Sequence, residues 1–256
     1  MTKTNVRNCV FSFIGTMVFV LTVLLGKNAF SQELIYNAIK EKENDKVVEW
    51  FGENKTGNVS MRFKNYSNFV NERLPIYKLN CVIDTMSLLS LSIFHNNEEL
   101  TKKFLTEPVF VGDTTELSNA MNVSVFKNNY EQVILLHNMG AVINKSCDFC
   151  YKKTTLQVAL GNQVDKNVLE YVLENSDEDD FKKIDCFDNT MLHYLVENND
   201  VILLEKYFDY VAEFIMEYDA FFQLPFEIAI QNENPEIIKF IWERMLDHYK
   251  VVNSYP

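Results

Sequence analysis

A stack of helix pairs, all-α throughout, is the fold class the sequence predicts, and three observations predict it. Similar segments recur near a period of thirty-four residues. Apolar residues inside each segment follow helical spacing, as in Ile237, Ile238, Phe240 and Ile241 or Val168, Leu169, Val172 and Leu173. A small side chain recurs at one place in most segments.

Six segments carry the repeat, the last two reading most clearly as a helix, a break at Asn and a second helix. They run Leu34 to Phe51, Ser87 to Leu105, Asn119 to Asn144, Thr154 to Leu173, Thr190 to Phe208 and Leu224 to Trp242, the first two being the weaker copies. Counted from the Thr place of each unit, which in the first is Glu33, the sixth position is Ala38, Ser92, Ser124, Ala159, Leu195 and Ala229, with separations of 54, 32, 35, 36 and 34 residues. Stacked first helices approach closely, so a large side chain there would wedge them apart. Leu195 breaks the rule. One pair of short helices cannot bury both its stripes, whereas several stacked pairs can.

The segments are preceded by an export signal: Lys3 and Arg7, an uncharged and mostly apolar run from Val10 to Gly26, and Ala29-Phe30-Ser31 as a small-residue cleavage site. Cleavage after Ser31 leaves a domain of residues 32–256; if the segment is not cleaved, its 17-residue apolar run anchors the chain in a membrane. Between the first two segments an insertion at about residues 52–84 carries Lys55, Arg62, Lys64, Arg73 and Lys78 with Phe63, Tyr66, Phe69 and Tyr77, and a short helix is expected from Ser67. Farther on, Glu174 to Asp185 reads as a long acidic connection in which Asp177 to Asp180 form a solvated loop, and Tyr210 to Phe222 is apolar enough to extend the helix before it.

Thr190-Met191-Leu192-His193, Leu224-Pro225-Phe226-Glu227-Ile228-Ala229 and Gly140-Ala141-Val142-Ile143-Asn144 resemble the T-P-L-H-x-A and G-A-D-V-N signatures of ankyrin repeats. The resemblance covers roughly residues 33–245, most clearly after Asn119. It implies an ankyrin-like solenoid of about six helix pairs that binds proteins through a concave surface of hairpin tips and first-helix faces. Ankyrin repeats place glycine after the second helix, where a left-handed cap is needed. Only Gly140 fills that place here, with Asn175 the substitute in the next unit, so irregular hairpin connections are expected.

Composition removes several functions. The chain holds 24 Lys and Arg against 36 Asp and Glu, and loss of residues 1–31 deepens the imbalance to 21 against 36, which opposes binding to a phosphate backbone. There is no GxGxxG, no phosphate-loop sequence, no G-x-S-x-G and no H-E-x-x-H. His193 is expected to tie the Thr190 hydroxyl and neighbouring backbone together at a helix start. His95, His137 and His248 occupy unrelated places in their units. Asp177 to Asp180 lacks the glycine and distal glutamate of a calcium loop. No cofactor or metal is expected.

Cys147 and Cys150 form a C-x-x-C in a hairpin; in an oxidising compartment they read first as structural disulfide or free thiols. Cys150 and Cys186 sit at equivalent places in adjacent units, about a helix-packing distance of roughly 8 to 10 Å apart, too far for a bridge without distortion. Cys147 with Cys150 or with Cys186 stays open.

The expectation is therefore an exported, periplasmic or secreted, monomeric module that binds a protein and has no catalysis. Its candidate partner residues are the aromatic and basic groups around the first-helix starts: Phe149, Tyr151, Lys152, Lys153, Phe187, Asn189, Tyr194, Phe221 and Phe222. Packing between hairpins is the other use for such aromatics. Two alternatives are an envelope inhibitor or immunity-type protein that neutralises a basic enzyme, and a periplasmic thiol oxidoreductase using Cys147 and Cys150.

Overall fold

The computed structural model describes residues 34–53, 60–61, 86–145 and 153–252, and these are predominantly helical. Helix α1 (34–40) is followed by α2 (Asn44–Glu53), and a two-residue antiparallel pair, β1 (Ser60–Met61) with β2 (Met86–Ser87), leads into α3 (Leu88–Phe94) and α4 (Glu98–Phe104). A single turn, α5 (Pro108–Val111), precedes α6 (Thr114–Phe126) and α7 (Tyr130–Asn138). Then come α8 (Thr155–Gly161) with α9 (Lys166–Glu174), the short α10 (Glu178–Phe181), α11 (Met191–Asn198) with α12 (Val201–Val211), and α13 (Pro225–Gln231) with α14 (Pro235–Val252).

Each first helix is stopped in the same way. A residue with positive φ follows it: Lys42, Asn96, Asn128, Gln163, Asn199 and Glu233. These lie four residues after Ala38, Ser92, Ser124, Ala159, Leu195 and Ala229 in every pair. In α3 the Asn97 N–H donates to the Ser92 carbonyl at 2.8 Å and the Asn96 N–H to that of Ile93 at 3.0 Å, the double closure of a Schellman cap. The same bond returns from Glu43 to Ala38 at 2.8 Å and from Asn129 to Ser124 at 2.9 Å. Asparagine, which tolerates the left-handed region better than most residues, makes three of these six turns, and Lys42, Gln163 and Glu233 make the other three.

Second helices restart on polar caps. Asn97, Asn129 and Asp200 accept from the N–H groups of Leu100, Gln132 and Leu203.

Packing follows from the repeat. First helices touch in chain order, α3 with α6, α6 with α8, α8 with α11 and α11 with α13, and each of these lies against its own second helix. Ser92, Ser124, Ala159, Leu195 and Ala229 are all completely buried along this line. So are Leu89, Val123, Leu156 and Leu192 on the first helices and Ile237 on α14, each adding about 1.5 to 3 kcal/mol of burial. At the front, the rings of Phe51, Phe104 and Phe110 close on one another with centroids 5.1 to 5.7 Å apart. Gly161 permits the closest α8 to α11 approach, since a Cβ there would stand 3.1 Å from the Tyr194 ring.

Side-chain N–H groups, five from amides and one from an imidazole, knit the pairs along both edges. On the turn side, Asn97 donates to the Ile39 carbonyl at 3.1 Å, Asn198 to that of Leu160 at 3.3 Å and Asn232 to that of Val196 at 3.0 Å. On the side where first helices begin, Asn122 reaches the Lys153 carbonyl at 3.5 Å, Gln157 that of Lys183 at 3.0 Å and His193 that of Gln223 at 3.1 Å.

Three expectations are corrected. Asn175 does not supply a left-handed cap: its φ is −106°, and its side chain instead donates back to the Tyr171 carbonyl at 2.8 Å. Residues 177–180 are not a solvated loop, because Asp177 caps α10 and Asp180 is buried, accepting from Asn144 at 2.9 Å and from Lys183 at 2.6 Å. The chain after Tyr210 does not prolong α12 beyond Val211; one 3₁₀ turn, Ala212–Phe214, follows, and Ile215 is buried at its end. The expected export segment, the helix expected from Ser67 and most of the 52–84 insertion lie outside the described residues, although Gly52 and Glu53 complete α2 and Ser60 pairs with Ser87.

Candidate interaction surface

Two hairpins of identical construction precede α11 and α13. In one, the Asp185 carboxylate accepts from the N–H groups of Phe187 at 2.8 Å and Asn189 at 2.9 Å; in the other, Asp219 accepts from those of Phe221 and Gln223, both at 2.8 Å. Backbone bonds close each loop, Asp185 N–H to the Asn189 carbonyl at 3.1 Å and Asp219 N–H to that of Gln223 at 3.0 Å. An aspartate satisfying two N–H groups ahead of it is a turn that its own residue type specifies. Corresponding residues are thirty-four apart, the repeat period itself.

The loops are joined by the Ala220 N–H, which donates to the Phe187 carbonyl at 2.8 Å, and by the Phe187 and Phe221 rings, stacked at 6.2 Å and 18°. Phe221 is 59% exposed and Phe222 83%. Phe222 has φ of 60°, and its counterpart Asp188 has φ of 57°. A left-handed backbone costs an aromatic residue about 1 to 2 kcal/mol, less for an aspartate that bonds locally.

Behind the first loop lies a buried polar network. The Tyr194 hydroxyl donates to Asp185 at 2.5 Å, and Asn189 donates to the same carboxylate at 3.1 and 3.2 Å. Burial first, and then the Asp185 charge, push the Tyr194 phenol far above its usual range. The Lys153 ammonium sits 5.1 Å from the centre of the Tyr194 ring; burial lowers its pKa while Asp185 and Glu197 oppose the fall.

His193 fixes the start of α11. Its Nδ1 accepts from the Thr190 N–H at 3.1 Å and lies 2.8 Å from the Thr190 hydroxyl. Because a carbonyl can only accept, the contact to Gln223 at 3.1 Å places the ring proton on Nε2. Burial lowers the His193 pKa despite the opposing effects of the Gln223 carbonyl, Asp219, Asp185 and Glu217.

Of the candidate residues, the structure therefore brings Phe187, Asn189, Phe221 and Phe222 together on adjoining loops. Tyr194 and Lys153 lie behind them, Tyr194 buried and Lys153 half-buried. Phe149, Tyr151, Lys152, Cys147 and Cys150 lie outside the described residues, and Cys186 is exposed. Asp185 and Asp219, which build the loops, were not among the candidates; their spacing of one repeat was the signal that could have found them.

Elsewhere, His137 Nδ1 bonds the Tyr171 hydroxyl at 2.7 Å. No group of three His, Cys, Asp or Glu side chains able to hold a metal occurs among the described residues. The half-buried Glu116 accepts a hydrogen bond from the Ser87 hydroxyl, and burial, with a smaller push from Asp113, raises its pKa to about 7. Burial and the charges of Lys127 and Lys40 lower that of His95 to about 4. A groove of about 720 Å³ opens between α9 and α12, floored by Val164, Leu169, Leu173 and Leu203. The chain matches no known protein-family model, and no curated protein is similar to it.

Proposed function

We infer that this chain is an exported ankyrin-like repeat module that binds a protein partner through its hairpin loops and first-helix faces, without catalysis. The carrying observation is the paired loops at Asp185 and Asp219. Each is locked by its own carboxylate, they are linked to one another, and together they hold the Phe221 and Phe222 rings in solvent. Rigid aromatic side chains of this kind supply contact area at little entropic cost, and binding energy at interfaces concentrates on them. The repeat register supports the ankyrin-like reading: a positive-φ residue follows every first helix four residues after its buried register position, and cross-pair hydrogen bonds run along both edges. In such an array the loops line one continuous face.

The test is capture of partners from the producing cells by the tagged chain, by Phe221→Ser with Phe222→Gly, and by Ile202→Ser. Ile202 is 75% exposed on α12, away from the loops. The reading expects loss of one specific protein with the double variant and full recovery with Ile202→Ser. Equal recovery by all three sets the loops aside as the binding face.

A further inference from the structure

Acidity in this chain is not evenly spread. Residues 153–250 carry eight Lys and Arg against 21 Asp and Glu, whereas the remaining residues carry 16 against 15, or 13 against 15 once residues 1–31 are removed. Most of the negative balance thus sits in the part that bears the two hairpin loops. Within the loops the bias is complete: residues 185–190 and 217–224 hold Asp185, Asp188, Glu217 and Asp219 and no Lys or Arg. Asp188 and Glu217 are exposed, while Asp185 and Asp219 are engaged with loop N–H groups. The lysine behind them, Lys153, has its ammonium over the Tyr194 ring.

Phe222 adds a second, independent observation. Asp188 makes the same left-handed turn one repeat earlier, so the turn does not require an aromatic residue. The Phe222 ring also contributes little to the core, being the most exposed of the large apolar side chains among the described residues. A strained backbone that holds an apolar ring in water has no use in folding, and such strain gathers at binding sites.

We propose that the Phe221 and Phe222 loop, rimmed by Asp188 and Glu217, is the docking site for a cationic protein segment: an apolar anchor residue flanked by Lys or Arg. This rests on the loop-face reading above and names its partner. Aromatic faces and carboxylates attract the same ligand, since an ammonium or guanidinium gains from the ring quadrupole and from the acidic rim alike. A second copy of this chain is the wrong occupant, because it brings the same negative field to the contact.

The test is selection of a phage-displayed random dodecapeptide library on the purified chain, followed by titration of the synthetic consensus peptide. The expected consensus holds at least two Lys or Arg around a Leu, Ile, Phe or Trp. Its affinity should fall about tenfold or more in Phe222→Gly, which keeps the left-handed turn, and about threefold in Asp188→Asn with Glu217→Gln, with a flatter salt dependence. Ile202→Ser should bind as the parent chain does. A neutral or acidic consensus that still depends on Phe222 overturns the cationic partner and leaves the loop face standing. A cationic consensus indifferent to Phe222→Gly overturns both, and failure to enrich any sequence overturns the proposal.

Discussion

His193 can be replaced in a way that the chain itself has rehearsed. One unit earlier, Gln157 occupies the same place: its side-chain oxygen accepts from the Thr154 N–H at 2.8 Å and its amide donates to the Lys183 carbonyl at 3.0 Å. One unit later, Glu227 accepts from the Leu224 N–H at 2.7 Å but, as a carboxylate, has no proton to give. Replacing His193 with Ala leaves the buried Thr190 N–H without an acceptor, for about 1 to 3 kcal/mol, and opens a cavity where the ring stood. The Gln223 carbonyl loses only one of its two donors, since the Asp219 N–H stays on it at 3.0 Å, and being half-buried it can also turn to water. Together these place His193→Ala at about 2 to 5 kcal/mol, with His193→Glu near it, whereas His193→Gln restores both bonds and should cost about 1 kcal/mol or less. Urea unfolding followed by circular dichroism at pH 7.5 reads the series, provided the slope with denaturant is common to all variants. Equal losses for Gln and Ala would refute the two-sided clamp. There is also a pH signature. The folded His193 pKa is depressed below the unfolded value of 6.5, so its contribution is present above about pH 6.5 and is lost as pH falls toward the folded value; His193→Gln should lack that part of the acid loss.

Two other perturbations test other joints. Asn144 is fully buried, donating to Ser176 at 2.6 Å and Asp180 at 2.9 Å and accepting from the Leu156 N–H at 2.7 Å, so Asn144→Ala should cost about 3 kcal/mol or more in the same urea assay; a loss under about 1 kcal/mol would refute its role as the knot between α8 and α10. Glu116 carries a folded pKa raised to about 7, so the folded state binds the extra proton and the chain gains stability as pH falls from about 7 to 4.5. Glu116→Gln should then be more stable than the parent by about 1 to 3 kcal/mol at pH 8 and nearly equal to it at pH 4.5; a gap that does not vary with pH contradicts this. Comparing the pair at each pH separates Glu116 from His95, whose folded pKa of about 4 makes stability fall over the overlapping range.

What the sequence disclosed was the part written locally. Helical spacing gave the stripes, and the small residue at the sixth position gave a register that the positive-φ residues repeat with the same separations. The turns themselves were hidden because Lys42, Gln163 and Glu233 do not advertise a left-handed backbone as glycine would. Asp180 misled because a run of acids looks solvated until Asn144, thirty-six residues earlier, is seen to bond it. Aromatics near helix starts were easy to collect but not to orient: Tyr194 turns inward to Asp185, and Phe222 outward into water. Residue type marks an amphipathic position, while its direction is set by loops closed through contacts one repeat away.

The loop face as the partner-binding surface is tested most directly by placing a photoreactive amino acid at position 222, or at position 202 as a control, and irradiating intact producing cells. The account predicts one dominant protein cross-linked through position 222 and none through 202. No adduct at 222, or the same adducts at both positions, would contradict it.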